Sequence, residues 1–348
     1  MQRKSNIELL RIVAMILVVF LHANYYSLGS VSVEDISNSP FGSFCKALIE
    51  QLCIVCVNVF ILISGWFGIK PSLKGATSLL FQILFFHVLI ITVLLVVGER
   101  VHFYDILRGL YFGSDYWFIT SYVILYAISP ILNTFIEAVS VRTFASVLIA
   151  FFFCEFVYGW IVSSGDFQSG YSALSFVGLY LLAQFIHKYS YRLQSIVVFK
   201  NFLLYFIFTL VPITLYFITG RQFNMLAYSS PFVIAASVFL FLAFHKMKIS
   251  STAINYIACS SLSIYIVHQH PLIVNHFINL MKYVHTSFGP YWYVVFVILF
   301  VVTLGCVCIL LDKLRIRLWI YSCDLFIDKL LSKIKIFFDR IYNFIGIQ

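Results

Sequence analysis

Ten apolar stretches, each about as long as a membrane-crossing helix, make up most of this chain. A helix needs roughly 20 apolar residues to cross a bilayer. Hydrophobic residues make up 62% of the sequence and charged residues 11%, whereas a soluble domain has about 25% charged residues. The pattern predicts an all-α, polytopic membrane protein of about ten transmembrane helices, near 7–28, 47–67, 76–97, 117–137, 143–163, 171–187, 200–219, 225–244, 253–279 and 292–311.

The positions of lysine and arginine predict how these helices are oriented. With the N-terminus in the cytoplasm, the inside segments carry 17 of the 23 basic residues, the outside loops carry five, and Arg11 lies within the membrane. Cytoplasmic loops are enriched in basic residues, so we expect both termini in the cytoplasm. We therefore attribute the formal net charge of +9 mainly to the basic residues that set this orientation. Attraction to anionic membrane lipids is a secondary interpretation. Nucleic-acid binding is not expected, because the chain has no soluble basic domain.

Residues 313–348 differ from the predicted ten-helix domain, residues 1–312. Charged residues such as Lys329 and Lys333 alternate there with apolar residues at helical spacing. This pattern is typical of an amphipathic helix on a membrane surface, here the cytoplasmic one. A helix that binds a partner protein is the alternative. At the other end, the start MQRKSN leads directly into an apolar run, which predicts a retained helix rather than a cleaved signal peptide.

The first apolar stretch carries an arginine, Arg11, and a histidine, His22, inside it. Charges at membrane depth are costly and mark candidate functional sites. Eleven residues are about three helical turns, so both side chains point the same way, roughly 16 Å apart. A guanidinium binds phosphate bidentately, and an imidazole acts as a general base near neutral pH. Two simpler interpretations are that the side chains extend to the membrane surfaces, or that Arg11 pairs with Glu8.

Four segments, in order, resemble the acyltransferase 3 family of bacterial membrane proteins. Arg11-x10-His22 is similar to the hallmark of that family's first helix. The second-helix segment is matched by NVFILISGWFGI (58–69), and the Trp-Phe segment by DYWFITSYVILYAISPILN (115–133). The late segment with Tyr-x-x-His and Pro-Leu is matched by SLSIYIVHQHPLI (261–273). Their order, their spacing and the number of helices agree over most of the chain.

The resemblance implies an O-acyltransferase of the bacterial inner membrane. The family moves an acyl group, usually acetyl, from cytoplasmic acyl-CoA to sugar hydroxyls of cell-envelope or exported glycans. Acyl-CoA is then the donor substrate, no cofactor is tightly bound, and the acceptor is a glycan or lipid-linked sugar, with exported polysaccharide favoured. Some members carry an extracytoplasmic domain that completes the transfer. The predicted ten-helix chain contains no such extracytoplasmic domain. The resemblance therefore implies a one-domain mechanism or a separate extracytoplasmic partner protein.

The resemblance also assigns roles to individual residues. Arg11, Lys70 and Lys74 are expected near the CoA phosphates. The family often has arginines where this chain has the two lysines, and lysine holds phosphate only as a point charge. His22 is expected to deprotonate the attacking hydroxyl. Asn24 either orients the imidazole of His22 or begins the outer loop.

Other polar and aromatic residues are candidate contacts of an acyl tunnel or of the acceptor. Trp117 is predicted to line the tunnel and Tyr116 to join an interfacial aromatic belt. Small residues favour close helix packing, which is the expected role of Ser64-Gly65 in place of nucleophilic attack. No metal site is predicted, because histidines two residues apart do not share a helix face. The candidate contacts are Asn24, Asn58, Ser64, Trp117, Glu155 and His268, with Glu155 expected either to orient His22 or to bind sugar.

Other functions are compatible with intramembrane charges. A transporter or flippase for a glycan or lipid-linked precursor would use them as a pathway, although the sequence has no evident internal repeat to support it. A sensor or assembly subunit would use them for association. A different class of membrane acyltransferase, based on His and Asn, is disfavoured by the ordered four-segment resemblance.

Overall fold

The molecule is built from helices. The computed structural model describes residues 4–110, 116–220 and 224–323, together with 327, 329, 330, 332 and 333. These residues form helices and turns, and no strand occurs among them. The helices are α1 Ser5–Leu21, α2 Val33–Asn38, α3 Pro40–Cys53, α4 Cys56–Phe67, α5 Leu73–Val97, α6 Phe103–Leu110, α7 Trp117–Ala138, α8 Val141–Cys154, α9 Ala173–Tyr189, α10 Tyr191–Ser195, α11 Val198–Thr219, α12 Pro231–Lys246, α13 Thr252–Ala258, α14 Ser261–His268 and α15 Val274–Leu318.

Seven helical segments in the described part of the chain are long and apolar enough to cross a membrane. They are Ser5–Tyr26, Pro40–Phe67, Leu73–Val97, Trp117–Ala138, Val141–Ile161, Val198–Thr219 and Val274–Ser322. The predicted all-helical, multi-pass membrane architecture is confirmed.

The other three predicted stretches form shorter or interrupted helices. α9 has 17 residues and α12 has 16. The stretch 253–279 is divided among α13, α14 and the start of α15. Ten crossings and cytoplasmic termini therefore stay predictions.

The two ends of α1 define two faces of the bundle. On the near face, where α1 begins, Ser5 accepts a hydrogen bond from the backbone N–H of Ser251, and Asn6 donates to the carbonyl of Phe244. On the far face, beyond the end of α1, the hydroxyl of Tyr216 donates to the carbonyl of Val31. Long-range bonds thus fasten both ends of α1, which packs in between against α3, α4, α12, α13 and α14.

Gly65 allows α4 and α9 to pack closely. A Cβ atom at Gly65 would lie 2.7 Å from the carbonyl oxygen of Tyr180 and 2.8 Å from the Cβ of Ala183. Small residues let membrane helices approach each other at backbone distance. The packing role predicted for Ser64-Gly65 thus belongs to Gly65, whereas Ser64 faces a cavity described below.

A local break divides α15 into two parts. Gly289 has a φ of 76°, which glycine adopts without a steric penalty, and Pro290 after it lacks the N–H of a regular helix. The first part packs on the far half of α1, where Phe277 joins the cluster around Ala23. This packing closes one side of the bundle near the end of α1.

The second part of α15 passes residue 312, the predicted domain boundary, without a break and ends at Leu318. Asp312 and Arg315 are buried there, and Nε of Arg315 donates to Oδ1 of Asp312 over 2.9 Å. Gln82 of α5 donates to the same oxygen over 2.9 Å. Since buried charges are tolerated when paired and hydrogen-bonded, this network joins α15 to α5. Most of the predicted surface helix within 313–348 lies outside the described residues.

Candidate active site

Two cavities meet at His22. The first has a volume of about 310 Å³ and extends from Arg11 to His22, with walls from α1, α4, α5, α7 and α14. The second has a volume of about 360 Å³ and lies beyond His22 toward the far face. His22, Trp117 and Tyr228 line both cavities. A group at this junction therefore has access to molecules in either cavity.

One face of α1 forms a wall of the first cavity. Arg11, Met15, Val18 and His22 all line it, at spacings of three and four residues that share a helix face. Nη1 of Arg11 also lies 3.6 Å from Oε1 of Glu8, so the pairing predicted as an alternative is present too. Because the Arg11 side chain is 38% exposed, it combines this ion pair with access to the cavity.

The helix changes its winding at His22. A π-helical turn runs from His22 to Tyr26, and such turns occur frequently at functional sites. Nδ1 of His22 lies 2.9 Å from Nε2 of His268 on α14. On the other side of the His268 ring, Nδ1 lies 2.5 Å from the carbonyl oxygen of Ile264. The two imidazoles and the carbonyl form one hydrogen-bonded series.

This series determines the tautomer of His22. A carbonyl oxygen only accepts, so Nδ1 of His268 carries the proton that it donates to Ile264. In the neutral ring the other nitrogen accepts, and Nε2 of His268 therefore takes a hydrogen bond from Nδ1–H of His22. Nε2 of His22 is then unprotonated, and it makes no hydrogen bond to any residue that the structure describes. A free, basic nitrogen at the junction of two cavities is suited to general-base chemistry.

Gln269 makes a second contact with the same nitrogen of His22. Its side-chain amide lies 2.9 Å from Nδ1 of His22. The orientation of an amide is assigned from its hydrogen-bond network. The structure places Nε2 of Gln269 at this position. An amide nitrogen cannot accept the Nδ1 proton, so we assign the amide in the flipped orientation, with its carbonyl oxygen toward the ring.

A second pair of histidines supports the turn that follows His268. Nε2 of His87 lies 2.9 Å from the carbonyl oxygen of Ile106, and Nδ1 of His87 lies 2.9 Å from Nε2 of His270. The backbone N–H of Leu272 donates to Nδ1 of His270 over 3.2 Å. With a proton on Nε2 of each ring, every one of these contacts has one donor and one acceptor. This pair fastens the turn to α5 and α6.

Aromatic side chains form the partition between the two cavities. The ring centroid of Trp117 lies 4.7 Å from that of Tyr171 and 5.7 Å from that of Tyr228. Trp117 thus borders both cavities, and its contact with an acyl chain stays a prediction. Tyr116, by contrast, is buried, and its hydroxyl donates to the carbonyl of Ile266 over 3.1 Å. The prediction of an interfacial belt position for Tyr116 is wrong, because this hydrogen bond draws the ring into the bundle.

Comparison with protein family models assigns the chain to a family. The family model described as an acyltransferase domain, Acyl_transf_3, matches residues 4–311. The chain belongs to this acyltransferase family. Comparisons with curated proteins and with solved structures gave no match. The predicted family is confirmed, and both cavities lie entirely within the matched part of this membrane acyltransferase.

Lys70 and Lys74 lie outside the first cavity of the acyltransferase. Both are exposed, on the segment from the end of α4 to the first turn of α5. This segment belongs to the near face, since Nζ of Lys4 lies 5.7 Å from the ring centroid of Phe67. Of the three cations predicted to hold CoA, Arg11 is the one that lines the cavity. Contact of the two lysines with a CoA phosphate stays a prediction.

Several predicted contacts of the acyltransferase are engaged within the fold. The amide of Asn24 donates to the carbonyl of Phe20 over 3.0 Å, and none of its described hydrogen bonds is with His22. Asn58 is buried, and its amide donates to the carbonyl of Tyr228 over 2.9 Å. Ser64 does line the first cavity, although its hydroxyl donates to the carbonyl four residues earlier.

Glu155 is not part of the His22 cluster. It is buried at the start of a second π-helical turn, Glu155–Ile161, and its carboxylate accepts a hydrogen bond from Ser175 of α9. None of its described contacts is with His22. The prediction that Glu155 orients His22 is wrong, because His268 and the residue after it already occupy Nδ1.

Sequence reasoning missed two residues of the acyltransferase site, Gln269 and Tyr228. Gln269 lies in the late segment that resembles the family (261–273) and follows a predicted candidate, yet nothing in that segment marks it as a partner of His22. Tyr228 is one of 22 tyrosines and belongs to no motif. Gln269 is 247 positions from its partner His22, so the folded topology alone brings them together.

Proposed function

We propose that this protein is a membrane O-acyltransferase that moves an acetyl group from acyl-CoA to a hydroxyl of a cell-envelope or exported polysaccharide. The observation that carries the proposal is the position of His22, whose unprotonated Nε2 lies where two cavities meet. Transfer between two substrates requires both reacting groups within hydrogen-bond reach of one base. A cavity on each side of His22 meets that requirement.

The first cavity is proposed for the donor. Arg11 lines it toward the near face, and the rest of its wall is largely apolar, as at Ile63, Phe118 and Leu262. A guanidinium suits a CoA phosphate, while an apolar channel suits a pantetheine arm and an acyl chain. The excess of basic residues on predicted inside segments supports placing the near face in the cytoplasm, where acyl-CoA is available.

The second cavity is proposed for the acceptor. Its wall contains Tyr25, Tyr26, Tyr171 and Tyr228 together with Trp117. Such side chains combine a broad apolar ring with a polar O–H or N–H group, which suits a sugar ring and its hydroxyls. With the near face in the cytoplasm, this cavity lies on the outside, where an exported glycan is found.

The proposed reaction uses the assigned tautomer of His22. Nε2 takes the proton of the acceptor hydroxyl while the oxygen attacks the carbonyl carbon of the thioester. The tetrahedral intermediate then collapses with cleavage of the C–S bond, and the proton on His22 passes to the CoA sulfur. The products are the acetyl ester and CoA thiol, and His22 regains its starting tautomer. Throughout, Nε2 of His268 accepts from Nδ1–H of His22 and favours the transient imidazolium.

The test compares two histidine variants in membrane vesicles supplied with labelled acetyl-CoA. The acceptor is polysaccharide extracted from cells that lack the protein. We expect His22→Ala to reduce transfer on the order of 10²–10⁴-fold, the usual contribution of a general base. His276→Ala is the matched control, because His276 is an exposed histidine of α15 that lines neither cavity. Undiminished transfer by correctly folded His22→Ala protein would contradict the proposal.

A glycan transporter or flippase is the weaker alternative. It would use the same two cavities as a path, but membership of an acyltransferase family favours turnover. Transport predicts movement of unmodified glycan without consumption of acetyl-CoA. Release of CoA thiol that depends on added glycan is the result that separates the two functions.

A further inference from the structure

A third cavity continues the series toward the far face. This far-face cleft has a volume of about 450 Å³ and shares Tyr25 and Tyr171 with the second cavity. Tyr25 belongs to the π-helical turn that begins at His22. The wall of the cleft comprises Tyr25, Ser30, Ser163, Ser164, Gly165, Gln168, Ser169, Tyr171, Asn224, Met225, Leu226 and Ala227.

Unusual backbone conformations are concentrated in this cleft. Ser163, Gln168, Ser169 and Asn224 have φ values of 56°, 48°, 56° and 40°. In the part of the chain that the structure describes, these are the non-glycine residues with positive φ, and all four line the far-face cleft. Glycine would adopt these angles without steric cost. Residues held in sparsely populated backbone conformations cluster at binding sites, where the surrounding structure holds them in place.

Two segments of the cleft wall, 163–171 and 224–227, are held together by contacts of their own and neighbouring residues. The backbone N–H of Ser229 donates to the carbonyl of Ser169 over 3.3 Å, and the amide of Asn224 donates to the carbonyl of Trp160 over 2.9 Å. A Cβ atom at Gly170 would lie 2.6 Å from the backbone nitrogen of Ser229. This close packing holds the cleft in shape before any ligand arrives, which reduces the entropic cost of binding.

The chemistry of the wall indicates an uncharged, hydroxyl-rich ligand. None of the described residues that line the cleft carries a formal charge; hydroxyls, two amides and two phenols supply its polar groups. Amides and hydroxyls offer both donors and acceptors, as a sugar requires. The side chain of Gln168 is exposed and has no hydrogen-bond partner among the described residues. Phosphate ligands are bound instead by arginine and lysine.

We propose that the far-face cleft is a second acceptor subsite, which binds the sugar units adjacent to the unit that is acylated at His22, and that Gln168 determines its preference for chain length. This inference rests on the proposed function and adds the recognition of a polymer in place of a single sugar. A chain that fills both the second cavity and the cleft makes more contacts than a single unit, so the wild-type KM falls as the acceptor lengthens.

The experiment measures transfer from labelled acetyl-CoA to size fractions of polysaccharide from cells that lack the protein, from single sugar units to long fragments. We expect Gln168→Gly to raise the KM for long fragments roughly 3- to 10-fold, the effect of one or two lost neutral hydrogen bonds. The kcat, the KM for acetyl-CoA and the KM for single units stay unchanged. Folding is retained, because glycine adopts a φ of 48° without strain.

Two further variants complete the design. Gln168→Asn tolerates positive φ but holds a shorter amide, and we expect an intermediate KM for long fragments. Asn38→Gly, which removes an exposed amide from α2 outside the cleft, keeps the wild-type KM at every length. If the wild type transfers acetyl and Gln168→Gly has the same KM as the wild type at every fragment length, the subsite is overturned and the proposed function stands. A wild-type protein that acylates none of the fractions overturns both.

Discussion

His22 owes its basic nitrogen to a side chain 246 positions away, His268. A histidine in water exchanges its proton between two nitrogens, but here the carbonyl of Ile264 holds a proton on His268 and thereby places one on Nδ1 of His22. Which ring nitrogen is protonated is set by the bond that the other makes. His268 is thus a positioning residue: it acts by fixing the proton of His22 and not by contact with substrate.

Replacing His268 tests this dependence. We expect His268→Leu to lower kcat at least about tenfold, a smaller decrease than that caused by His22→Ala. The reason is that removal of the acceptor frees His22 to adopt the other tautomer. His268→Gln keeps an acceptor oxygen near Nδ1 and retains most of the activity. The KM for acetyl-CoA stays constant in both, as steady-state kinetics would show. Equal activity of the two variants would contradict the tautomer argument.

The contact between α4 and α9 shows how one small residue sets the spacing of two helices. The carbonyl of Tyr180 and the Cβ of Ala183 leave no room for a side chain at Gly65. α4 also carries Ser64 into the first cavity. A wider spacing between these helices would therefore alter the cavity as well as the packing.

A Gly65→Ala variant measures the tightness of this contact. The added Cβ meets backbone atoms at 2.7 Å, and we expect overpacking to cost about 1–3 kcal/mol and to lower the thermal unfolding temperature in detergent. Gly305→Ala is the control, since the nearest atom to a Cβ there is Cδ1 of Ile264 at 3.9 Å. Equal unfolding temperatures for the two variants would show that α9 moves aside freely.

Hydropathy predicted the helices well where they are long and continuous, and less well where they are broken. Gly289-Pro290 lies between two of the predicted stretches, 253–279 and 292–311, yet α15 continues on both sides of it. The π-helical turns at His22 and Glu155 have no counterpart in a pattern of apolar residues. Both turns interrupt the regular winding inside apolar runs, where composition gives no signal.

At the level of the whole bundle, the orientation of the protein in the membrane stays a prediction. Asn38 lies on the far face, in a helix that follows α1, and Lys248 lies on the near face, next to the contact of α1 with Ser251. The count of basic residues predicts that the far face is outside. Entry of acyl-CoA from the cytoplasm depends on this direction.

Cysteine labelling in intact cells measures it. We expect a membrane-impermeant maleimide to label Asn38→Cys before lysis and Lys248→Cys only after lysis, because both positions are exposed. The wild-type chain, with its native cysteines, gives the background. The opposite labelling pattern would place Arg11 on the outer side and exclude a cytoplasmic donor.

The candidate site was predicted in outline but not in its connections. Arg11 and His22 share a helix face at a spacing that sequence alone makes visible. Their neighbours come from α7, α14 and the loop before α12, and no local pattern encodes those distances. Glu155 is a buried carboxyl group, yet its described partner is Ser175 of α9 and not His22. Ordered motifs indicated the family, and tertiary packing decided which polar residues reach His22.

The aromatic partition around Trp117 has a consequence for the cell. An energised membrane stores an ion gradient, and an open pore wide enough for a sugar would discharge it. Under the proposed function each substrate stays on its own side of this partition, and neither has to pass through the protein. The group that changes compartments would then be as small as the acyl group itself, and transfer would need no open pore.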